Sequence, residues 1–227
     1  MRRWLGFGVA AVVVAIAGLM APAGGGGKSA EANHVNPILF VHGFTGSASA
    51  WNTMKPRFQA DGWEANHLMA ISYNSYQSNV TTANVIANAV TTLRNNTGAA
   101  KVDIVTHSMG GLSTRYYLKN LGGQAFVDEW VSLAGPNHGT VWAAGCFFLT
   151  PCSQMIPGSS FLNGLNSGDE TPGAVNYGTW WSSCDEIITP DESVILSGAT
   201  NTHTSCISHS TMLTDLTVYN GVKAFVQ

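Results

Sequence analysis

The chain has 227 residues, 45% of them hydrophobic and only 10% charged, with a formal net charge of −3. That length supports one well-packed domain with a sizeable core and falls short of two comparable ones. The apolar content excludes a disordered chain, and the mildly acidic balance offers nothing to recruit nucleic acid or anionic lipid.

The first residues read as an export signal. Arg2 and Arg3 make a basic start, Leu5 to Met20 an apolar run, and small residues follow at Ala21 to Ala23 and Ala30 to Ala32. The run is marginal for spanning a bilayer, and Gly24 to Gly27 then form a flexible joint. Residues 1–32 are therefore expected to be a signal peptide and Gly-rich joint, and 33–227 the folded domain of a secreted protein.

From Pro37 onward, extended apolar runs alternate with mixed segments of helical length, the rhythm of a mostly parallel sheet flanked by helices. Strands are predicted at Ile38 to Val41, His67 to Ser72, Val102 to Thr106, Val127 to Leu133, Tyr177 to Ser182 and Val194 to Ser197. Helices are predicted at Ser49 to Ala60, Val80 to Arg94, Met109 to Asn120 and Met212 to Phe225. Between Gly139 and Asn176 the rhythm breaks into a loop-rich excursion with scattered apolar residues, among them Phe147, Phe148, Met155 and Phe161. Irregular core packing and a wall of a substrate cleft are both consistent with it, since ligands of such sheets sit beyond the carboxyl ends of the strands.

The run Val102 to Gly111 (VDIVTHSMGG) is an apolar strand, then a serine among small residues, then a helix. A turn this tight projects Ser108 above the sheet edge, and small neighbours let the chain turn without clashes, as in the GxSxG pattern. Thr106 stands where that pattern has its first glycine. Simple capping of the following helix by Ser108 is the competing structural explanation. Upstream, Pro37 to Val41 leads into His42, Gly43, Phe44, Thr45 and Gly46. Ester hydrolysis needs two backbone N–H groups aimed at the developing oxyanion. Phe44 and Met109 are the candidates for this oxyanion hole.

A serine nucleophile needs a base, and the base an orienting acid. In the α/β-hydrolase order the histidine comes last, which leaves His209 and His203; His209, directly before the final helix, is favoured. Asp185 follows a late strand and is the favoured acid, with Glu186 and Asp191 as rivals. The histidines at 34, 42, 67, 107 and 138 lie on the wrong side of the acid and are read as structural.

These residues together resemble the small bacterial triacylglycerol lipases of the class 2 lipase family. The likeness rests on Val41 to Phe44, Thr106 to Gly111, Leu133 to Thr140 (LAGPNHGT), Asp185 with Pro190 after it, and His209. It implies a trimmed α/β-hydrolase fold with little or no lid and an accessible Ser108, and a triad of Ser108, Asp185 and His209. It also implies an oxyanion hole from Phe44 and Met109, and neither metal nor organic cofactor. The expected partners are a small-molecule or lipid ester and transiently a lipid surface, with the chain acting as a monomer. A polyester or cutin-type hydrolase shares the same triad; a secreted binding module and a peptidase on the same fold are readings from other classes.

Four cysteines, Cys146, Cys152, Cys184 and Cys206, lie in the mature part, and an oxidising compartment favours disulfides. No CxxC pair or zinc-like spacing is present. Of three conceivable pairings we expect Cys146 with Cys152, a short local loop, and Cys184 with Cys206, which would tie the acid's loop to the base's.

Overall fold

A computed structural model describes residues 36–227; the expected signal peptide and joint, residues 1–32, lie outside them. Six strands form one all-parallel sheet: β1 (Ile38–Val41), β2 (Leu68–Ile71), β3 (Val102–His107), β4 (Val127–Leu133), β5 (Asn176–Trp181) and β6 (Thr200–His203). Their order in space is β2-β1-β3-β4-β5-β6. The helices are α1 (Met54–Ala60), α2 (Asn79–Thr97), α3 (Gly110–Asn120), α4 (Thr150–Met155), α5 (Ser160–Asn166) and α6 (Leu216–Phe225).

The strand sequences explain this arrangement. A parallel sheet covered on both faces needs apolar side chains pointing both ways, so ILFV of β1 is buried at every position. Successive residues then feed opposite cores. Ile38 and Phe40 join Val105, Val131, Met54, Phe58 and Val222 on the face covered by α1 and α6. Leu39 and Val41 join Ile104, Trp130, Ile86, Val90 and Leu118 on the face covered by α2 and α3. The helices start and stop on local signals: Ser78 accepts from the Thr81 N–H ahead of α2, Gly98 ends α2 at φ +73°, and Asp215 accepts from the Val218 N–H ahead of α6.

One strand is not where the apolar pattern puts it. Val194 to Ser197 is not a strand; Val194 closes a 3₁₀ turn, Asp191–Val194, and Leu196 is buried without entering the sheet. Gly198, at φ +85°, redirects the chain, and the sixth strand is the polar Thr200–His203. The edge position tolerates this composition because one side of the strand meets water. Asn201 supports the turn, accepting from the Leu196 N–H (3.0 Å) and donating to the Leu196 carbonyl (2.9 Å).

The predicted excursion after β4 also carries more structure than expected, namely α4 and α5. Pro151 sits in the first turn of α4, and Ser159 caps α5 by accepting from the Leu162 N–H. At six and seven residues these helices are too short for apolar periodicity to reveal them. Their apolar side chains, Cys152, Met155, Leu162 and Leu165, pack with Met109 and Leu112 in a third cluster.

The order of strands fixes where a ligand can sit. The chain leaves β1 towards β2 on one side and continues with β3 on the other, so β1 and β3 flank the point at which strand order reverses. The turns that follow these two strands carry Gly43–Phe44 and Ser108.

Gly110 is the closest approach in this region: a Cβ there would lie 2.6 Å from the His42 carbonyl oxygen and 2.8 Å from that of Val41. Gly164, in α5, has nothing within 4 Å of its would-be Cβ. Gly110→Ala should lower the melting temperature by several degrees, from about 1–3 kcal/mol of overpacking. Gly164→Ala should leave it unchanged or raise it, by roughly 0.5–1 kcal/mol of reduced chain entropy. Thermal unfolding of the two variants side by side checks both signs.

Candidate active site

Ser108 holds φ at +55°, a backbone region costly for any residue with a Cβ. The surroundings enforce it. Its N–H donates to the Leu133 carbonyl (2.9 Å), while α3 starts two residues later against β1. On the other side, a Cβ on Gly43 would fall 2.7 Å from the Ser108 Cβ and 3.2 Å from its Oγ, so only glycine lets the β1 loop lie against the serine. Thr106 fits in place of the usual glycine because it is the buried penultimate residue of β3, and its hydroxyl donates to the Val131 carbonyl (2.8 Å). Gly111 leaves room beside it, with Thr106 Oγ1 at 3.4 Å from a would-be Cβ.

Asp185 and His209 come together on the loops after β5 and β6. His209 Nδ1 lies 2.9 Å from Asp185 Oδ2 and 3.1 Å from Oδ1. The carboxylate is further held by the N–H groups of Ile187 (2.8 Å) and Ile188 (2.9 Å), both donating to Oδ1. Burial alone would raise the Asp185 carboxyl, but the His209 hydrogen bond and charge and these two N–H donors outweigh it and hold it below the usual carboxylate range. Its contribution to stability is therefore present above that range and lost as pH falls through the depressed value. The carboxylate also fixes the tautomer of His209: Nδ1 carries the proton, and Nε2 is left as the acceptor.

The two loops are tied together twice. Cys184 bonds to Cys206, with Cα atoms 5.0 Å apart, and the buried Ser182 Oγ accepts from the N–H groups of Cys184 (3.1 Å) and Ile207 (3.0 Å). The other pair is Cys146–Cys152, within the excursion.

The loop after β1 is shaped by His42, whose imidazole is buried. Nδ1 lies 2.7 Å from the Gly43 carbonyl, to which it must donate, and Nε2 accepts from the Tyr73 N–H (3.3 Å); the Tyr73 ring stacks on the imidazole at 4.1 Å. Burial lowers the pKa of His42 in spite of the Gly43 hydrogen bond, which favours the neutral form this pattern requires. Among the described residues, neither the Phe44 N–H nor the Met109 N–H donates to another protein group.

A cleft of about 340 Å³ opens between these loops. Ser108 and His209 both line it, and Ser108, at 8% exposure, is reached through it rather than standing free on the surface. Its other walls are Phe44, Thr140, Trp142, Met155, Ile187 and Ile188. Part of the excursion is thus a cleft wall while the rest packs in the core, so both sequence readings describe some of it. The excursion is anchored to the loop that carries Asp185, with the Val141 N–H donating to Thr189 O (2.9 Å), and to α2, with the Asn79 N–H donating to Gln154 Oε1 (2.8 Å).

The rival residues fall elsewhere. His203 stacks on Trp181 (4.0 Å) and does not line the cleft. Glu186 meets His209, but at its backbone N–H (3.1 Å) and not its ring. Asp191 opens the 3₁₀ turn before Ile195. His138 pairs with Glu170 (2.7 Å). No group of three His, Cys, Asp or Glu side chains among the described residues could hold a metal ion. Sequence reasoning passed over Tyr73, which carries no motif, weighed Glu186 only as a rival acid and read His107 only as structural; their adjacency to Asp185 and Ser108 was the available signal for their contacts with His209.

A parallel sheet with a serine at positive φ on the β3–α3 turn, and an Asp–His pair on later loops, defines an α/β-hydrolase. The chain belongs to the class 2 lipase family, whose profile, described as "Lipase (class 2)", matches residues 35–224. In fold it is similar to Bacillus licheniformis lipase BlEst2 in its mature form, with TM-score 0.74 and 18% identity over 85% of this chain and 92% of that one. It is similar also to Aspergillus fumigatus lipase B, with TM-score 0.70 and 21% identity over 83% and 51%. Lecithin-cholesterol acyltransferase-like 4 of Arabidopsis thaliana is 30% identical over 110 residues, which are 45% of this chain and only 19% of that protein.

The Cys184–Cys206 bond closes a loop of sequence separation 22, worth about 3 kcal/mol on the chain-entropy estimate. Cys184→Ser with Cys206→Ser should lower the melting temperature. Turnover of a soluble ester should fall too, even well below melting, because the loops of Asp185 and His209 lose a tie. Normal turnover in the folded double variant would leave the bond a staple without influence on the site.

Proposed function

We propose that the chain is a secreted carboxylic ester hydrolase that works through an acyl-enzyme on Ser108. The carrying observation is the His209–Asp185 pair opening, together with Ser108, onto one apolar-walled cleft. In this reading His209 Nε2 takes the proton of Ser108 Oγ as that oxygen attacks the ester carbonyl. The carbonyl oxygen becomes an oxyanion, held by the N–H groups of Phe44 and Met109, whose lack of other partners supports this role. Collapse expels the alcohol, which takes the proton from His209 and leaves an acyl-serine. Water, deprotonated by the same imidazole, then releases the acid and restores Ser108.

The substrate class follows from the walls. Met155, Ile187, Ile188 and Trp142 suit an acyl chain, and a cleft of about 340 Å³ suits short to medium ones. Export is supported by the basic and apolar start of the sequence and by two disulfides. Among the described residues no helix is long and apolar enough to cross a membrane.

The exposed segment that carries the cleft-lining Trp142 favours contact with an uncharged lipid or ester surface. Val141, Trp142, Phe147 and Phe148 are exposed, the last at 73%, in a stretch from Gly139 to Gly168 without a single Asp, Glu, Lys, Arg or His. Phe147→Ser with Phe148→Ser should therefore weaken adsorption to a neutral ester emulsion while leaving turnover of a soluble butyrate ester within about twofold, since neither ring lines the cleft. With only short helices over the site, the rate should also show no sharp step at the substrate's solubility limit. A several-fold step would indicate a mobile cover.

Ser108→Ala should cut hydrolysis of a chromogenic butyrate ester by several orders of magnitude, leaving about the 10³-fold acceleration that binding and the oxyanion hole retain. The fold should survive, and labelling by a serine-directed phosphonate should vanish. Retention of more than about a tenth of the activity would move the nucleophile elsewhere and reopen the binding-module and peptidase readings. His209→Gln should abolish activity and His203→Gln should not, since only the first removes the base.

A further inference from the structure

We propose that Glu186 and His107 are positioning residues that grip the main chain of His209 from both sides, so that neighbours of the acid and of the nucleophile hold the base. This rests on the triad reading above.

The base needs such support. His209 lies between β6 and a 3₁₀ turn, Thr211–Leu213, in a segment with no helical or strand ladder of its own. Its ring is held at Nδ1 by Asp185, but one contact at one ring atom does not fix the backbone from which the ring projects. The two main-chain polar groups of His209 both go to side chains. Its N–H donates to Glu186 Oε2 at 3.1 Å, and its carbonyl accepts from His107 Nε2 at 3.0 Å. Among the described residues, these groups make no backbone–backbone hydrogen bond.

The His107 contact has only one sense. A carbonyl cannot donate, so Nε2 must carry the proton. Burial, with the charge of His209 second, pushes the His107 pKa down to about 3 and keeps the ring neutral, so it cannot compete with His209 for the proton. The two imidazoles also pack against each other, with centroids 4.6 Å apart. Glu186 is exposed and could be solvated, yet it turns back to the one main-chain donor of the base.

Connectivity supplies the logic. His107 precedes Ser108 and Glu186 follows Asp185, so a shift of the serine turn or of the acid's loop carries the backbone of His209 with it. Distances between the three reacting groups are thereby coupled, and a misplacement of about 1 Å in such a constellation costs on the order of 10²-fold in rate.

The test compares Glu186→Ala, Glu186→Gln, His107→Phe and His107→Gln with the parent protein, reading kcat and KM on a soluble butyrate ester, the rate of phosphonate inactivation, melting temperature, and hydrogen exchange at the His209 amide. Glu186→Ala should lower kcat and the phosphonate rate together by about tenfold or more, with KM within about twofold. Melting should barely move, and the His209 amide should exchange faster. Glu186→Gln keeps an acceptor oxygen and should recover most of the rate. His107→Gln keeps a donor near the same reach and should outperform His107→Phe. Because His107 is buried, the surface residue Glu186 carries the decisive comparison. Unchanged kcat in Glu186→Ala, equal impairment in Glu186→Gln, or a rate loss that tracks melting would overturn the proposal. An active Ser108→Ala would overturn the triad alone, because the exchange of the His209 amide in Glu186→Ala reads the grip without catalysis.

Discussion

The site depends on how closely two backbone turns approach at the carboxyl end of the sheet. The loop after β1 lies against the turn after β3 at distances that leave no space for a Cβ on Gly43 or Gly110. That proximity holds Ser108 at its positive φ and brings the free N–H groups of Phe44 and Met109 to the serine's surroundings. Neither turn could come so near without the parallel pairing of β1 with β3, register Val41 to Thr106, beneath them. The strain of about 1–2 kcal/mol at Ser108 is thus sustained by packing that extends through two cores, rather than by the turn itself.

How much of this was legible in the sequence follows burial. β1 and β3 are buried throughout and β4 over all but Asp128 and Glu129, and the largely apolar runs of Ile38–Val41, Val102–His107 and Val127–Leu133 marked them to within a residue. β6 was missed because an edge strand needs no such composition: Thr200–His203 is polar, while the more apolar Val194 and Leu196 bury themselves outside the sheet. The positions of Ser108, Asp185 and His209 could be read because chain order and strand ends constrain them. Of what holds them, only the Cys184–Cys206 bond could. Ser182, Glu186, Tyr73 and His107 act through individual hydrogen bonds to residues distant in sequence, and such bonds leave no periodicity.

The excursion between β4 and β5 reconciles two demands on one segment. It must cover Met109 and Leu112 at the start of α3, and it must also present a wall to the cleft. Short helices meet both, since six or seven residues turn an apolar side inward and leave the connecting 3₁₀ turn, Val141–Cys146, at the rim. The Cys146–Cys152 bond joins that turn to α4 and brackets Phe147 and Phe148, two exposed rings in contact with each other at 6.0 Å. Exposed aromatic side chains would collapse inward on a freely mobile loop. A loop closed at a sequence separation of six restricts that collapse.

Electrostatics then distinguishes three neighbouring imidazoles. His42, His107 and His209 are all buried, but only one faces a carboxylate. His42 and His107 are disfavoured as cations by burial, and each spends a ring N–H on a backbone carbonyl, that of Gly43 and that of His209. Asp185, kept ionised by two backbone N–H groups as well as by the ring, sits on Nδ1 of His209 alone. In the proposed reaction a positive charge must form on one imidazole and nowhere else while an oxyanion forms nearby. Two neutral rings supply shape and fixed dipoles without adding a second cation, whose repulsion in a low-dielectric site would oppose protonation of the base. Three buried imidazoles are therefore distinguished by one carboxylate, which makes His209 the proton carrier of the proposed reaction and leaves His42 and His107 as supports.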